Sequence, residues 1–217
     1  MDNIVITVAR GFGSGGKRLS SRIADDLGMN CYENRILVLA SQLSGLDEEM
    51  FAEVNEKLSE KKKLPVFLRG LPKQKKPKVE DREFVSDETL FNYEKQIIEN
   101  LADTENCIIV GKCADHILKD RDNVISLYVE APRRYCVGEI MDRMKVDEET
   151  AHRAISQTDK YRADYYKYYT GGNYWTNPVN YDLTINMERV GFDRAAKLVE
   201  DYIKLRFPDW KAPAECG

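Results

Sequence analysis

The stretch ARGFGSGGKRLSSRIADDLG at residues 9–28 follows directly on a β-branched apolar run, NIVITVA at 3–9. Gly11, Gly13, Gly15 and Gly16 fall within a few positions, and Lys17 heads a segment whose Leu19, Ile23 and Leu27 recur at helical spacing. A continuous apolar run of this kind suits a strand buried on both faces of a parallel sheet, so the chain reads strand, glycine loop, helix. Glycines let successive backbone N–H groups turn inward around an anion, and the helix that follows adds its N-terminal dipole. Gly11 to Lys17 fits G-x-x-x-x-G-K, the pattern in which the lysine reaches the β and γ phosphates of a nucleoside triphosphate. The alternative is a purely structural turn before a helix. One position departs from the pattern: Arg18 stands where a Ser or Thr hydroxyl ordinarily ligates Mg²⁺. Ser20 and Ser21 lie further round the helix, about 100° per residue. Mg²⁺ is therefore expected to be held by triphosphate and water or with help from another side chain, unless catalysis is weak or absent; no protein metal ligand is assigned.

The same alternation continues along the chain. MNCYE (29–33) offers a second short strand, and NRILVLASQLSG (34–45) and DEEMFAEVNEKLSEKKK (47–63) two helices. Residues 57–81, rich in lysine and carrying Pro65, Pro72 and Pro77, read as an exposed, mobile basic connection, with a positive flap over phosphates as the sharper alternative. A helix follows at 86–103, then the apolar strands NCIIVGK (106–112) and NVISLYVEAP (123–132). Pro132 is placed to open the helix RRYCVGEIMDRMK. A long, tyrosine-rich helix at 147–171, the strand YDLTINM and a last helix at 191–207 complete one domain of 217 residues. Strands alternating with helices predict an α/β fold, a parallel sheet covered on both faces, with ligands at the carboxyl ends of the strands.

A net charge of -4 argues against a nucleic-acid partner. Five cysteines, odd in number and without metal-ligand spacing, predict neither a disulfide framework nor a zinc site. No apolar run approaches the roughly 20 residues needed to span a bilayer, and the N-terminus lacks signal-peptide character, so no membrane partner and a cytoplasmic location are expected.

ARGFGSGGKRLS, NCIIVGKCADHIL, NVISLYVEAP, TDKYRADYYKYYTG and NYDLTINM together resemble the cytidylate kinase-like family. The resemblance implies a P-loop kinase fold, with a five-stranded parallel sheet flanked by helices, a monophosphate region and a helical lid at about 147–171. It implies ATP held by Gly11, Gly13, Ser14, Gly15, Gly16, Lys17 and Arg18. Lys112 stands where cytidylate kinases carry the arginine of a G-R-D motif that contacts the monophosphate; lysine keeps the charge and loses the bidentate fork. Asp115, in the same motif, and Arg133, at a strand's carboxyl end, are the further substrate candidates, Arg133 with solvent exposure as its alternative. Lys160 and Arg162 are implied to act with Lys17 in stabilising charge on the transferring phosphoryl group, oriented by Asp159 and Asp164. Their alternative is a solvated helix with i,i+4 pairs such as Lys160 to Asp164. Of the tyrosines at 161–169, one or two at most are expected at ligand, the others packing on the core. His116 and His152 read as structural or surface residues.

One departure bears on the acceptor. Cytidylate kinases carry an Asp-Ser pair after the second strand, where this chain has Glu33 and Asn34, with Arg35 out of register. The expected function is ATP-dependent phosphoryl transfer, most simply to a nucleoside monophosphate such as CMP. A kinase of another small metabolite, and a nucleotide-binding sensor or scaffold without turnover, stand as alternatives.

Overall fold

The computed structural model describes residues 3–45 and 87–213. Five strands, β1 (Val5–Arg10), β2 (Asn30–Tyr32), β3 (Cys107–Val110), β4 (Val124–Glu130) and β5 (Leu183–Asn186), form one sheet in the order β2-β3-β1-β4-β5, every pair parallel. The five-stranded parallel sheet is thus as expected. The helices are α1 (Gly16–Leu27), α2 (Arg35–Ser44), α3 (Asp87–Thr104), α4 (Ala114–Ile117), α5 (Arg133–Met144), α6 (Glu148–Tyr169), α7 (Met187–Val190) and α8 (Phe192–Arg206). The expected helix at 47–63 and the basic connection at 57–81 lie outside the described residues. Among the described residues, the single-turn helices α4 and α7 and the 3-10 turn Pro178–Asn180 go beyond the expected elements; each is too brief to leave an apolar period in the sequence.

Alternation along β1 divides the core. Ile4, Ile6 and Val8 face one side, where they pack with Leu19 and Ile23 of α1, Ile140 of α5 and Val199 and Ile203 of α8. Val5 faces the other side, with Ile36 and Leu39 of α2 and Ile97, Ile98 and Leu101 of α3. Each such side chain contributes about 1.5–3 kcal/mol by leaving water, and burial on both faces explains why the strands read as unbroken apolar runs. Towards the carboxyl end an aromatic cluster of Tyr128, Tyr166, Trp175 and Tyr181 takes over. Because β1 lies between β3 and β4, the loop leaving β1 and the turn leaving β3 meet at the carboxyl edge of the sheet, beyond the strand ends, where the connections diverge and a crevice forms.

Candidate active site

The loop leaving β1 is shaped by its glycines. Gly13 and Gly15 have φ of 86° and 89°, left-handed conformations that bring neighbouring amides to one side. The buried Ser14 hydroxyl donates to the Gly11 carbonyl at 2.8 Å and so closes the turn. Glu130 packs behind Gly11, its carboxylate accepting from the Tyr128 hydroxyl at 2.6 Å and the Ala131 amide at 2.9 Å. In front of the loop lies a cleft of about 620 Å³ lined by Gly11, Gly13, Gly15, Gly16, Lys17 and Arg18, with Ser21, Glu139 and Arg162 among the further residues. Its volume is within the range of ligand sites, and the left-handed glycines leave its floor free of side chains. The triphosphate of ATP fits such a cradle.

Arg18 lines this cleft. Its guanidinium lies 4.3 Å from the centre of the Phe192 ring and 3.9 Å from Glu139, contacts that explain an arginine there. Ser20 is buried, with its hydroxyl donating to the Gly16 carbonyl at 2.9 Å. Among the described residues no group of three or more His, Cys, Asp or Glu could hold a metal ion. Neither Arg18 nor the Ser20 hydroxyl, already bonded to backbone, offers the loop a hydroxyl for Mg²⁺.

The turn leaving β3 carries three left-handed residues in succession, Gly111 (φ 79°), Lys112 (φ 60°) and Cys113 (φ 53°). For the two that are not glycine this costs about 1–2 kcal/mol each, strain of the kind that clusters at functional sites. Lys112 thereby joins a narrow space of about 60 Å³ beside Arg10, Glu33, Asp115, Arg162 and Tyr166. Asp115 is only 6% exposed and accepts from the Tyr166 hydroxyl at 2.6 Å. Burial raises its pKa above the ordinary carboxylate value, the hydrogen bonds offsetting only part of the effect. A carboxylate so raised costs stability once pH climbs past its unfolded pKa, and none below it. Asp115→Asn is accordingly expected to melt higher than wild type at pH 7, with the advantage gone below about pH 4; melting curves across pH check this.

The two lid candidates part company. Arg162 is 12% exposed, donates to the Arg10 carbonyl at 3.1 Å and lies 3.7 Å from Asp159; it lines both spaces. Lys160 is 80% exposed, 3.9 Å from Asp164, and lines neither of them. Two positions along a helix turn a side chain by about 200°, so both could not face inward. The Lys160 to Asp164 pair is the i,i+4 contact of a solvated helix face. Asp159 accepts from the Phe12 amide at 2.8 Å and so ties α6 to the glycine loop; burial raises its pKa despite that bond and the nearby Arg162. Arg133 also lines neither space. It donates to Ser156 Oγ at 2.7 Å and to the His152 carbonyl, joining α5 to α6. Three tyrosines line the narrow space, Tyr161, Tyr165 and Tyr166, while Tyr169 stacks on Phe91 with ring centres 4.0 Å apart.

Two residues join this constellation: Arg10, unnamed at the level of sequence, and Glu33, named there only for the departure after the second strand. Arg10 lines both spaces, and Glu33 links it to the loop: Glu33 Oε1 lies 3.2 Å from Arg10 Nη2, and Oε2 lies 2.6 Å from Lys17 Nζ. Burial pushes the Glu33 pKa up, but the two cations outweigh it and the net shift is downward. The available signal was position, since both residues sit where strands β1 and β2 end.

The profile of the cytidylate kinase-like family matches residues 5–189. No curated protein matches the chain. Among solved structures, an uncharacterized protein from Eubacterium ventriosum ATCC 27560 is 24% identical, with a TM-score of 0.67 over 93% of this chain and 99% of that one. Shikimate kinase from Bacteroides thetaiotaomicron is 11% identical, with a TM-score of 0.52 over 93% and 98%. The YorR protein of Bacillus subtilis, in complex with phosphorylated GDP, is 10% identical, with a TM-score of 0.51 over 95% and 99%. The fold is that of the P-loop kinases.

Proposed function

Since the chain belongs to the cytidylate kinase-like family, we propose that it transfers the γ-phosphoryl group of ATP to a nucleoside monophosphate of the cytidylate type. The observation that carries this reading is the meeting of two spaces at one sheet edge, a glycine-floored cleft and a cation-lined one, with Arg10 and Arg162 in both. The loop amides and Lys17 hold the donor; Mg²⁺, bound through the phosphates, neutralises charge on them. Lys112 takes the acceptor phosphate and the tyrosines Tyr161 and Tyr165 flank its base. Arg162 stabilises charge on the group in transit. A phosphate acceptor is already ionised, so positioning and charge do most of the work and no strong base is needed.

A space of about 60 Å³ is far below the roughly 300 Å³ at which ligand pockets begin. In this reading helix α6 is a lid that lifts for the acceptor, releasing Asp159 from the Phe12 amide and Arg162 from the Arg10 carbonyl, and closes again to exclude water. The test is ADP formation from ATP with CMP, dCMP, UMP, AMP and GMP, with and without Mg²⁺. Mg²⁺-dependent turnover led by CMP and dCMP is expected. Turnover only with a hydroxylated metabolite in place of these would move the acceptor to another class. ATP binding indifferent to Mg²⁺ with no turnover on any acceptor would instead identify a nucleotide sensor.

A further inference from the structure

Two backbone segments are shaped around the Arg10 side chain. A Cβ on Gly16 would lie 2.6 Å from Arg10 Cβ, and one on Gly111 would lie 2.5 Å from Arg10 Nη1. The glycine loop and the turn after β3 thus both omit a side chain where this one passes. The Arg10 side chain is 13% exposed and reaches across the end of β3 to Glu33. The Glu33 carboxylate bridges it to Lys17, with contacts of 3.2 Å to Arg10 and 2.6 Å to Lys17. One anionic group is therefore held between the loop lysine and Arg10, at the junction of the two spaces. Arg162 reinforces the arrangement from the lid by donating to the Arg10 carbonyl at 3.1 Å.

We propose that Arg10 is a catalytic residue whose guanidinium contacts the phosphoryl group in transit, at the anion position that the Glu33 carboxylate marks between Lys17 and Arg10. The inference rests on the phosphotransferase reading above. In the step, the bond from the γ-phosphorus to the β,γ-bridging oxygen breaks and its electron pair leaves with ADP. A bond from an acceptor phosphate oxygen to the same phosphorus forms. Arg10 donates hydrogen bonds to the oxygens of the transferring group and neither gains nor loses a proton. Glu33 then occupies the anion position between Arg10 and Lys17 and gives way to the phosphoryl group.

The test compares binding of the β,γ-imido analogue of ATP with binding of ADP, both with Mg²⁺, by calorimetric titration of wild type, Arg10→Met, Arg10→Lys and Glu33→Gln. Wild type is expected to prefer the triphosphate analogue. Arg10→Met should lose about 10-fold in affinity for it while ADP binding stays within about 2-fold. Arg10→Lys should fall between them, keeping charge without the fork. Glu33→Gln removes the competing carboxylate and should bind the analogue tighter. Equal losses for both ligands in Arg10→Met, or no loss for either, would overturn the proposal, as would weaker analogue binding by Glu33→Gln. Should Arg10→Met fail to fold, Arg10→Lys and Glu33→Gln decide by the same comparison. If wild type binds neither nucleotide, the phosphotransferase reading fails and this inference with it; if wild type binds both and the variants show no selective change, only this inference fails.

Discussion

Lys17→Ala is expected to lower ATP-dependent turnover by about 10²–10³-fold, the usual effect of removing one preorganised charge from a transition state. Its melting temperature should stay near that of wild type. The Lys17 side chain is 59% exposed, and its partner Glu33 keeps the contact to Arg10, so removal leaves no buried charge unpaired. Exposed ion pairs contribute little to stability. The combination separates a role at phosphate from a role in the fold: steady-state kinetics should collapse while thermal unfolding barely moves. A variant that turned over at the wild-type rate would remove Lys17, and with it the glycine loop, from the donor site.

Gly13→Ala should act through the fold itself. The residue sits at φ 86°, and a Cβ there would lie 2.7 Å from the Cys136 carbonyl oxygen and 3.1 Å from Cys136 Cα. Left-handed backbone costs an L-residue about 1–2 kcal/mol, and overpacking against backbone that cannot swing aside adds about 1–3 kcal/mol. A loss of roughly 2–5 kcal/mol is a large part of ordinary domain stability and corresponds to a drop in melting temperature on the order of 10 °C. Gly171→Ala supplies the contrast. Its φ is 69°, but a Cβ there meets nothing within 4 Å, so only the conformational cost remains. Equal melting temperatures for the two variants would mean that helix α5 does not brace the loop as described.

How far the sequence discloses this molecule follows from where its information is local. Strand β1, the glycine loop and α1 are legible because an apolar run, a glycine cluster and a helical period follow one another without interruption. The other long elements are legible for the same reason. The turn at Gly111–Cys113 is not, since Lys112 and Cys113 carry no local signal for the left-handed backbone they adopt; tertiary packing imposes it. Nor could the sequence decide between Lys160 and Arg162, two cations on one helix, until the rotation of α6 about its own axis was known. The Arg10 to Glu33 link is equally remote, because it forms only when β3 pairs on one side with β1 and on the other with β2. Arg18 departs from the familiar loop pattern, and the Phe192 ring that its guanidinium meets lies over 170 residues away.

The central claim is phosphoryl transfer from ATP to a nucleoside monophosphate at the edge shared by the glycine loop and the turn after β3. Its most direct test is product identification: ³¹P NMR of the purified protein with ATP, Mg²⁺ and CMP, run beside Lys17→Ala. The account predicts that CDP and ADP appear together in equal amounts with wild type and hardly at all with the variant. ADP and inorganic phosphate without any phosphorylated acceptor, or equal product from both proteins, would contradict it.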